Sequence, residues 1–216
     1  MAYHATQYLP LVLKQYEWVD KIVVLNYRFP SVPVSSDNTE EIVSSFKHPN
    51  IVIKSGEGLQ QHEIRNLGIN LMQDCDAVFI SDADEFIFKP DQDKIVRALA
   101  ERSAECKPAS YVACTIVDYN GDLYHALPQR SYYTTVAIAP RDVKFRRLRD
   151  AGNYGSCICL PEVVMHHLGF VFTPELMDWK ANWEYKEEQH SKQELLNNWA
   201  VKREVTPPQE LLEMLK

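Results

Sequence analysis

Three short apolar runs dominate the first eighty residues: 21–25 (KIVVL), 50–54 (NIVIK) and 77–80 (AVFI). Between them lie segments whose apolar residues recur at helical spacing. Residues 9–19 read as a helix, with Pro10 suited to a first turn. Residues 39–46 read as a second helix, capped by Asn38 or Thr39, and 60–73 as a third, with Ile64, Leu67, Ile69 and Leu71 inside. Pro30, Pro33 and three serines mark 26–38 as loop, and 56–58 reads as a turn. Strands that are apolar throughout are buried on both faces, and strands joined through helices run parallel. A further helix at 91–105 and strand at 110–117 extend the pattern. After about residue 120 it changes: 136–139 and 163–167 read as antiparallel or mixed additions, and Thr206 caps a last helix ahead of Pro207 and Pro208. The expectation is one α/β domain spanning 1–216, with a mixed, mainly parallel, Rossmann-like sheet flanked by helices. It divides into a nucleotide-binding half (1–120), an acceptor half (121–171) and a helical tail (172–216).

The chain of 216 residues carries a net charge of −7, which disfavours nonspecific binding to nucleic acid or anionic lipid. No apolar run is long enough to span a membrane, and the first residues do not resemble a signal peptide. Five cysteines, an odd count, fit reduced thiols and a cytoplasmic setting. Cys157 and Cys159 with His166 and His167 form a two-cysteine, two-histidine set, but the spacing matches no common zinc module. The simpler reading puts the two cysteines on one face of a strand. Arg141, Lys144, Arg146, Arg147 and Arg149 form a local basic cluster. It is a candidate site for an anionic acceptor, a phosphorylated lipid carrier or a nucleic acid bearing a hydroxylated base. The competing reading is a solvated strand and loop offset by Asp142 and Asp150.

The richest segment is 78–86 (VFISDADEF), where an apolar strand runs into Asp82, Asp84 and Glu85. Ligands of open α/β sheets collect at the carboxyl ends of strands. Carboxylates grouped there repel one another unless a cation offsets them, and Mg²⁺ or Mn²⁺ takes one or two carboxylates together with substrate phosphates. Asp82 and Asp84 are therefore candidate ligands for a divalent ion bridging to a nucleoside diphosphate. The alternative is a solvated acidic turn.

The segment 82–86 resembles the DxD motif of GT-A-fold, family-2-like nucleotide-sugar glycosyltransferases. Other segments resemble that family in the same order: 8–10 and 18–25 its opening helix and strand, 63–69 (EIRNLGI) its R-N-x-G helix, and 165–171 (MHHLGFV) its late histidine strand. The resemblance implies that Asp84 ligates the metal and that Asp82 contacts ribose or reaches the metal through water, with Ala83 between them. It implies that His167 completes the metal shell, with His166 beside it at the substrate or turned away from it, and that Arg65 and Lys180 face the diphosphate. Asn26 and Tyr27 would meet the nucleoside. The family normally begins with a full apolar strand before its first helix, whereas only 1–6 precede it here; that strand is very short or another segment covers its place.

The activity so implied is metal-dependent transfer of a sugar from a nucleoside-diphosphate sugar, a UDP-sugar foremost, to an acceptor hydroxyl. In an inverting reaction a carboxylate takes the acceptor proton, and Asp118 and Asp122, read in a turn after the fourth strand, are the candidates. Both also suit plain turn formation. Trp179, Trp183 and Tyr185 are candidates either to wall an acceptor pocket or to pack the tail. A nucleotidyltransferase shares the acidic motif but needs a glycine-rich basic loop after its first strand. A DxD phosphatase needs its acids near the N-terminus, and a non-catalytic sugar-binding module leaves the grouped carboxylates without a task.

Overall fold

The computed structural model describes residues 6–28, 38–104, 111–129, 133–140, 143–146, 149, 157–171, 173 and 202–216. The chain is mixed α/β. In order it forms α1 (Leu9–Gln15), β1 (Ile22–Arg28), α2 (Thr39–Ser45), β2 (Ile51–Glu57), α3 (Gln61–Asn70), β3 (Val78–Phe79), β4 (Glu85–Phe86) and α4 (Lys89–Ala104). Then come β5 (Tyr111–Asn120), β6 (His125–Ala126), β7 (Thr134–Ile138), β8 (Cys157–Phe170), β9 (Arg203–Glu204) and α5 (Gln209–Met214).

The sheet is not mainly parallel. β1 and β2 pair in parallel, from Ile22 opposite Ile51 to Arg28 opposite Glu57, with α2 as the crossover. In the larger sheet β5 lies between β7, antiparallel, and β8, parallel. β3 pairs antiparallel with β7, β4 with β8, and β6 with both β5 and β9. β3 and β4 precede α4 while their antiparallel partners β7 and β8 follow it, so the direction of these ladders is set by long-range pairing and not by the local strand–helix alternation. Of the segment 136–139 all but Ala139 falls in β7, the segment 163–167 falls in β8, and β8 is far longer than its apolar part.

Two boundaries bear on the site. β5 continues through Asp118 and Asn120, so Asp118 lies on a strand, and the turn begins at Gly121, whose φ is 82°. α5 starts at Gln209 with Pro208 as its N-cap residue, so Thr206 does not cap it. Of the expected helical tail, the described part is β9 and α5, with Leu211 of α5 buried in the core.

α1 lies where both sheets meet. Its Leu9, Val12, Leu13 and Tyr16 share one buried cluster with Val24 of β1, Phe86 of β4 and Leu168 of β8. Gln15 adds polar anchors: its Nε2 donates to the Glu85 carbonyl at 2.9 Å and its Oε1 accepts from the Ile87 N–H at 3.0 Å. Each fully buried apolar side chain in such a cluster contributes roughly 1.5–3 kcal/mol. On the opposite side α3 seats closely on β1: a β-carbon at Gly68 would stand 2.9 Å from Leu25 Cδ1. Asn66, one helical position away from Arg65, clamps the backbone of Phe145 with two hydrogen bonds of 2.8 and 2.9 Å.

Candidate functional site

β3 delivers the chain into a tight acidic turn. The Asp82 N–H donates to Glu85 Oε2 at 2.8 Å, and the Glu85 N–H returns to the Asp82 carbonyl at 3.3 Å. Two arginines from distant segments meet these acids. Arg65 of α3, itself buried, donates to both oxygens of Asp82 at 3.1 and 3.3 Å and to Gln61 Oε1 at 3.0 Å. Arg149 donates to Asp82 Oδ2 at 3.0 Å and also to Glu85 Oε2. Burial alone would raise the Asp82 carboxyl pKa, but Arg65 and Arg149 hold it far below the usual carboxylate range. For Arg149 burial opposes the charge, and Glu85 and Asp82 overcome it, so its pKa is raised. Arg65 shows the reverse balance, burial lowering its pKa against the pull of Asp82.

Strand register then builds a second group beside the first. Antiparallel pairing sets Glu85 opposite His167 and Phe86 opposite His166. Parallel pairing sets Asp118 beside His167. The His167 ring thereby lies between two carboxylates, with Nδ1 2.6 Å from Asp118 Oδ1 and Nε2 3.7 Å from Asp84 Oδ1. The Leu168 N–H donates to the Asp84 carbonyl at 2.8 Å and fixes the turn against β8. Burial disfavours a charged ring here, but Asp84 and Asp118 outweigh it and raise the His167 pKa to about 9.

Strand alternation sends His166 the other way. Its Nδ1 lies 2.9 Å from the Tyr119 hydroxyl and its ring packs on Phe88 at 5.2 Å. Burial lowers its pKa to about 4, so it is neutral at pH 7. The structure thus brings together Arg65, Asp82, Asp84, Asp118 and His167, and leaves His166 on the opposite face.

The remaining sequence candidates are placed as follows. Ala83 is buried in the core cluster, so its methyl packs there. Asn26 and Tyr27 end β1; Asn26 Oδ1 is buried with no hydrogen-bond partner among the described residues, and the Tyr27 ring lies across Gly56 of β2. Asp122 is in the exposed turn after Gly121, 2.8 Å from His125 Nδ1. Asp118, read from sequence beside it, is instead buried and engaged with His167. Cys157 and Cys159 share a face of β8 with sulfurs 3.5 Å apart, ten residues before His167 in the case of Cys157. Lys180, Trp179, Trp183, Tyr185, Arg141 and Arg147 lie outside the described residues.

Sequence reading places Glu85 in the acidic run but gives it no role, and it places Arg149 only in the basic cluster, whereas its guanidinium turns inward to the acidic turn. The available signal was complementarity: an acid-rich turn and an arginine-rich segment in one small domain.

Among the described residues, no group of three or more His, Cys, Asp and Glu side chains is arranged to hold a metal ion. A two-donor arrangement does fit a divalent cation chemically. Asp84 offers a carboxylate and His167 an imidazole nitrogen side by side, while Asp118 fixes the ring through Nδ1, as a partner of a ligating histidine does. Mg²⁺ commonly uses one or two protein ligands with phosphate oxygens and water. Asp82 fits less well as a ligand, because both its oxygens are held by guanidinium groups. No family model matches the chain, and no curated protein matches it.

Proposed function

We propose that the protein is a metal-dependent glycosyltransferase that moves a sugar from a nucleoside-diphosphate sugar to an acceptor hydroxyl. The observation that carries this reading is the convergence of Asp84, His167 and Asp118 from three separate segments, directly behind the ionised Asp82. Asp84, Glu85, Asp82 and Asp118 face two guanidiniums and one imidazole, so the group keeps surplus negative charge that attracts a cation.

Asp84 and His167 would hold Mn²⁺ or Mg²⁺, which supplies charge neutralisation for a departing diphosphate. Asp118 holds the His167 ring by Nδ1 so that Nε2 points toward Asp84. Arg65 and Arg149 keep Asp82 ionised and aimed, a state suited to accepting hydrogen bonds from ribose hydroxyls. Asn26, with its unpartnered amide oxygen, is suited to a donor group on the nucleoside. In the reaction the acceptor oxygen bonds to the anomeric carbon and gives up its proton to the departing diphosphate or to water, the bond from that carbon to the diphosphate oxygen breaks, and the diphosphate leaves with the electron pair.

Release of UDP or GDP from the matching sugar donors, measured with and without Mn²⁺, tests the reading. Metal-dependent release that disappears in Asp84→Ala supports it. Release unchanged by chelator or by Asp84→Ala would sink the metal role, and turnover of nucleoside triphosphates only would point to nucleotidyl transfer.

A further inference from the structure

Cys157 and Cys159 take no part in the group around His167, and strand register shows why. Cys157 lies opposite Tyr111 of β5 and His166 opposite Val117, six residues on and roughly 20 Å further along the sheet. Two cysteines and two histidines so far apart on one strand cannot share a metal ion. The cysteines face each other instead. Residues two apart on a strand share a face, and these two sulfurs stand 3.5 Å apart, within reach of a thiol hydrogen bond. Their surroundings differ: Cys159 is exposed and Cys157 is half-buried. Burial first, and then Cys159, push the Cys157 thiol up to about 11, so Cys157 keeps its proton at neutral pH and is the donor of the pair. The Tyr111 hydroxyl, across the strand, hydrogen-bonds Cys157 and favours its thiolate. The backbone here is set apart from the rest of β8. After Leu160 the pairing with β5 slips, from Leu160 opposite Cys114 to Val164 opposite Thr115. Pro161, in that bulge, has no N–H, and its carbonyl accepts from the Thr115 hydroxyl at 3.0 Å. Residues 157–160 therefore form a short ladder of their own, able to contract without moving His166 and His167.

We propose that Cys157 and Cys159 are a thiol–disulfide exchange site that is oxidised to an intrastrand disulfide by small-molecule disulfides, with Cys159 as the attacking sulfur and Cys157 as the resolving one. Exposure decides the first role, since the attacking sulfur must reach an outside disulfide, and the S–H of Cys157 stabilises a thiolate on Cys159. In the first step Cys159 Sγ bonds to one sulfur of the small disulfide, the bond between its two sulfurs breaks, and one small thiol leaves carrying the Cys159 proton. In the second step Cys157 Sγ bonds to Cys159 Sγ, the mixed disulfide breaks, and a second small thiol leaves carrying the Cys157 proton. The two cysteines lose two electrons and two protons, and the small disulfide gains them. Once Cys159 is in the mixed disulfide its charge no longer holds the Cys157 proton in place, and the Tyr111 hydroxyl supports the thiolate that then forms. Closure fits the strand: residues two apart span roughly 6.5 Å between α-carbons, inside the range of about 4.4–6.8 Å over which a disulfide forms.

The test makes no reference to turnover, so its outcome is independent of the glycosyl-transfer reading. The full chain is equilibrated in glutathione buffers of rising disulfide fraction, quenched with N-ethylmaleimide, digested and weighed. The proposal expects the peptide that carries Cys157 and Cys159 to take up two maleimides in reduced buffer and none in oxidised buffer, where it is two hydrogens lighter than the dithiol. The ring-closed form should exceed the glutathione adduct on that peptide by roughly tenfold or more, because the resolving sulfur is already in contact with its target. Cys114, which is buried, should keep its thiol in every buffer. Cys157→Ser should stop at a stable glutathione adduct on Cys159, and Cys159→Ser should leave Cys157 free to take its maleimide. Two maleimides at every disulfide fraction, a stable adduct on the unaltered chain, or a bridge from either residue to a different cysteine would overturn the proposal. Equal adduct formation in the two variants would overturn the assignment of roles. If a variant fails to fold, the unaltered chain decides alone, since ring closure there supports the site and its absence overturns it.

Discussion

Gly169 lies against the imidazole of His167: a β-carbon at position 169 would stand 2.3 Å from Nε2 and 2.5 Å from Cε1. No side chain fits there unless the ring moves, and the ring is held by Asp118 at 2.6 Å. Gly169→Ala is therefore expected to swing His167 away from Asp84. The expected result is at least a tenfold loss of Mn²⁺-dependent donor turnover, with a stability cost of about 1–3 kcal/mol, the usual range for overpacking. Steady-state kinetics and urea unfolding of the same variant measure the two effects.

Arg149 is the counter-charge for Glu85, which is almost wholly buried. Removing one partner of a buried ion pair strands the other and costs about 3–5 kcal/mol. Arg149→Met should destabilise by that order in urea unfolding. Adding Glu85→Leu should restore much of the loss, because the stranded charge is then gone. A double variant no more stable than Arg149→Met would contradict the pairing.

The two adjacent histidines set opposite flanks of a stability–pH curve. His167 has its pKa raised from the ordinary 6.5 or so to about 9. The folded state binds its proton more tightly, so that contribution is full below about pH 6.5 and is lost as pH rises through 9. His166 is lowered to about 4, so the unfolded chain takes up its proton first, and stability falls as pH drops from 6.5 toward 4. Maximum stability is expected near pH 6.5. Thermal melts across pH should show the alkaline flank flattened in His167→Gln and the acid flank flattened in His166→Phe.

Asp118 acts on the site through His167. Asp118→Asn keeps the size of the side chain but replaces the carboxylate facing Nδ1, and loss of such a partner typically costs 10–100-fold in metal affinity or activity. The expected signature is a raised Mn²⁺ requirement for turnover, together with a weaker alkaline stability flank, since Asp84 still favours the charged His167. Turnover and metal requirement both unchanged would remove Asp118 from the site.

Much of this was legible because the first half of the chain folds by local rules. The β-branched runs 21–25 and 50–54 and the helical spacing of 60–73 placed β1, β2 and α3 within a few residues, and the apolar run before Asp82 placed the acidic turn at a strand end. What was not legible depends on long-range pairing. The antiparallel β3–β7 and β4–β8 ladders join segments more than fifty residues apart, and nothing local to Val78 or Glu85 specifies their direction. Asp118 read as a turn residue because Asn120, Gly121 and Asp122 follow it; pairing with β8 carries the strand past it. The direction of Arg149 was hidden for the same reason, since its partners Asp82 and Glu85 lie more than sixty residues upstream.

In the proposed function Asp84 and His167 hold a divalent ion for a nucleoside diphosphate. Thermal melting with Mn²⁺, with UDP or GDP, and with both together tests it most directly. The expected result is a Tm rise of several degrees that needs metal and nucleotide together and is lost in Asp84→Asn. A 100-fold excess over Kd stabilises by about 2.7 kcal/mol, well within reach of the measurement. No shift with either nucleoside diphosphate, or the same shift in Asp84→Asn, would contradict the claim.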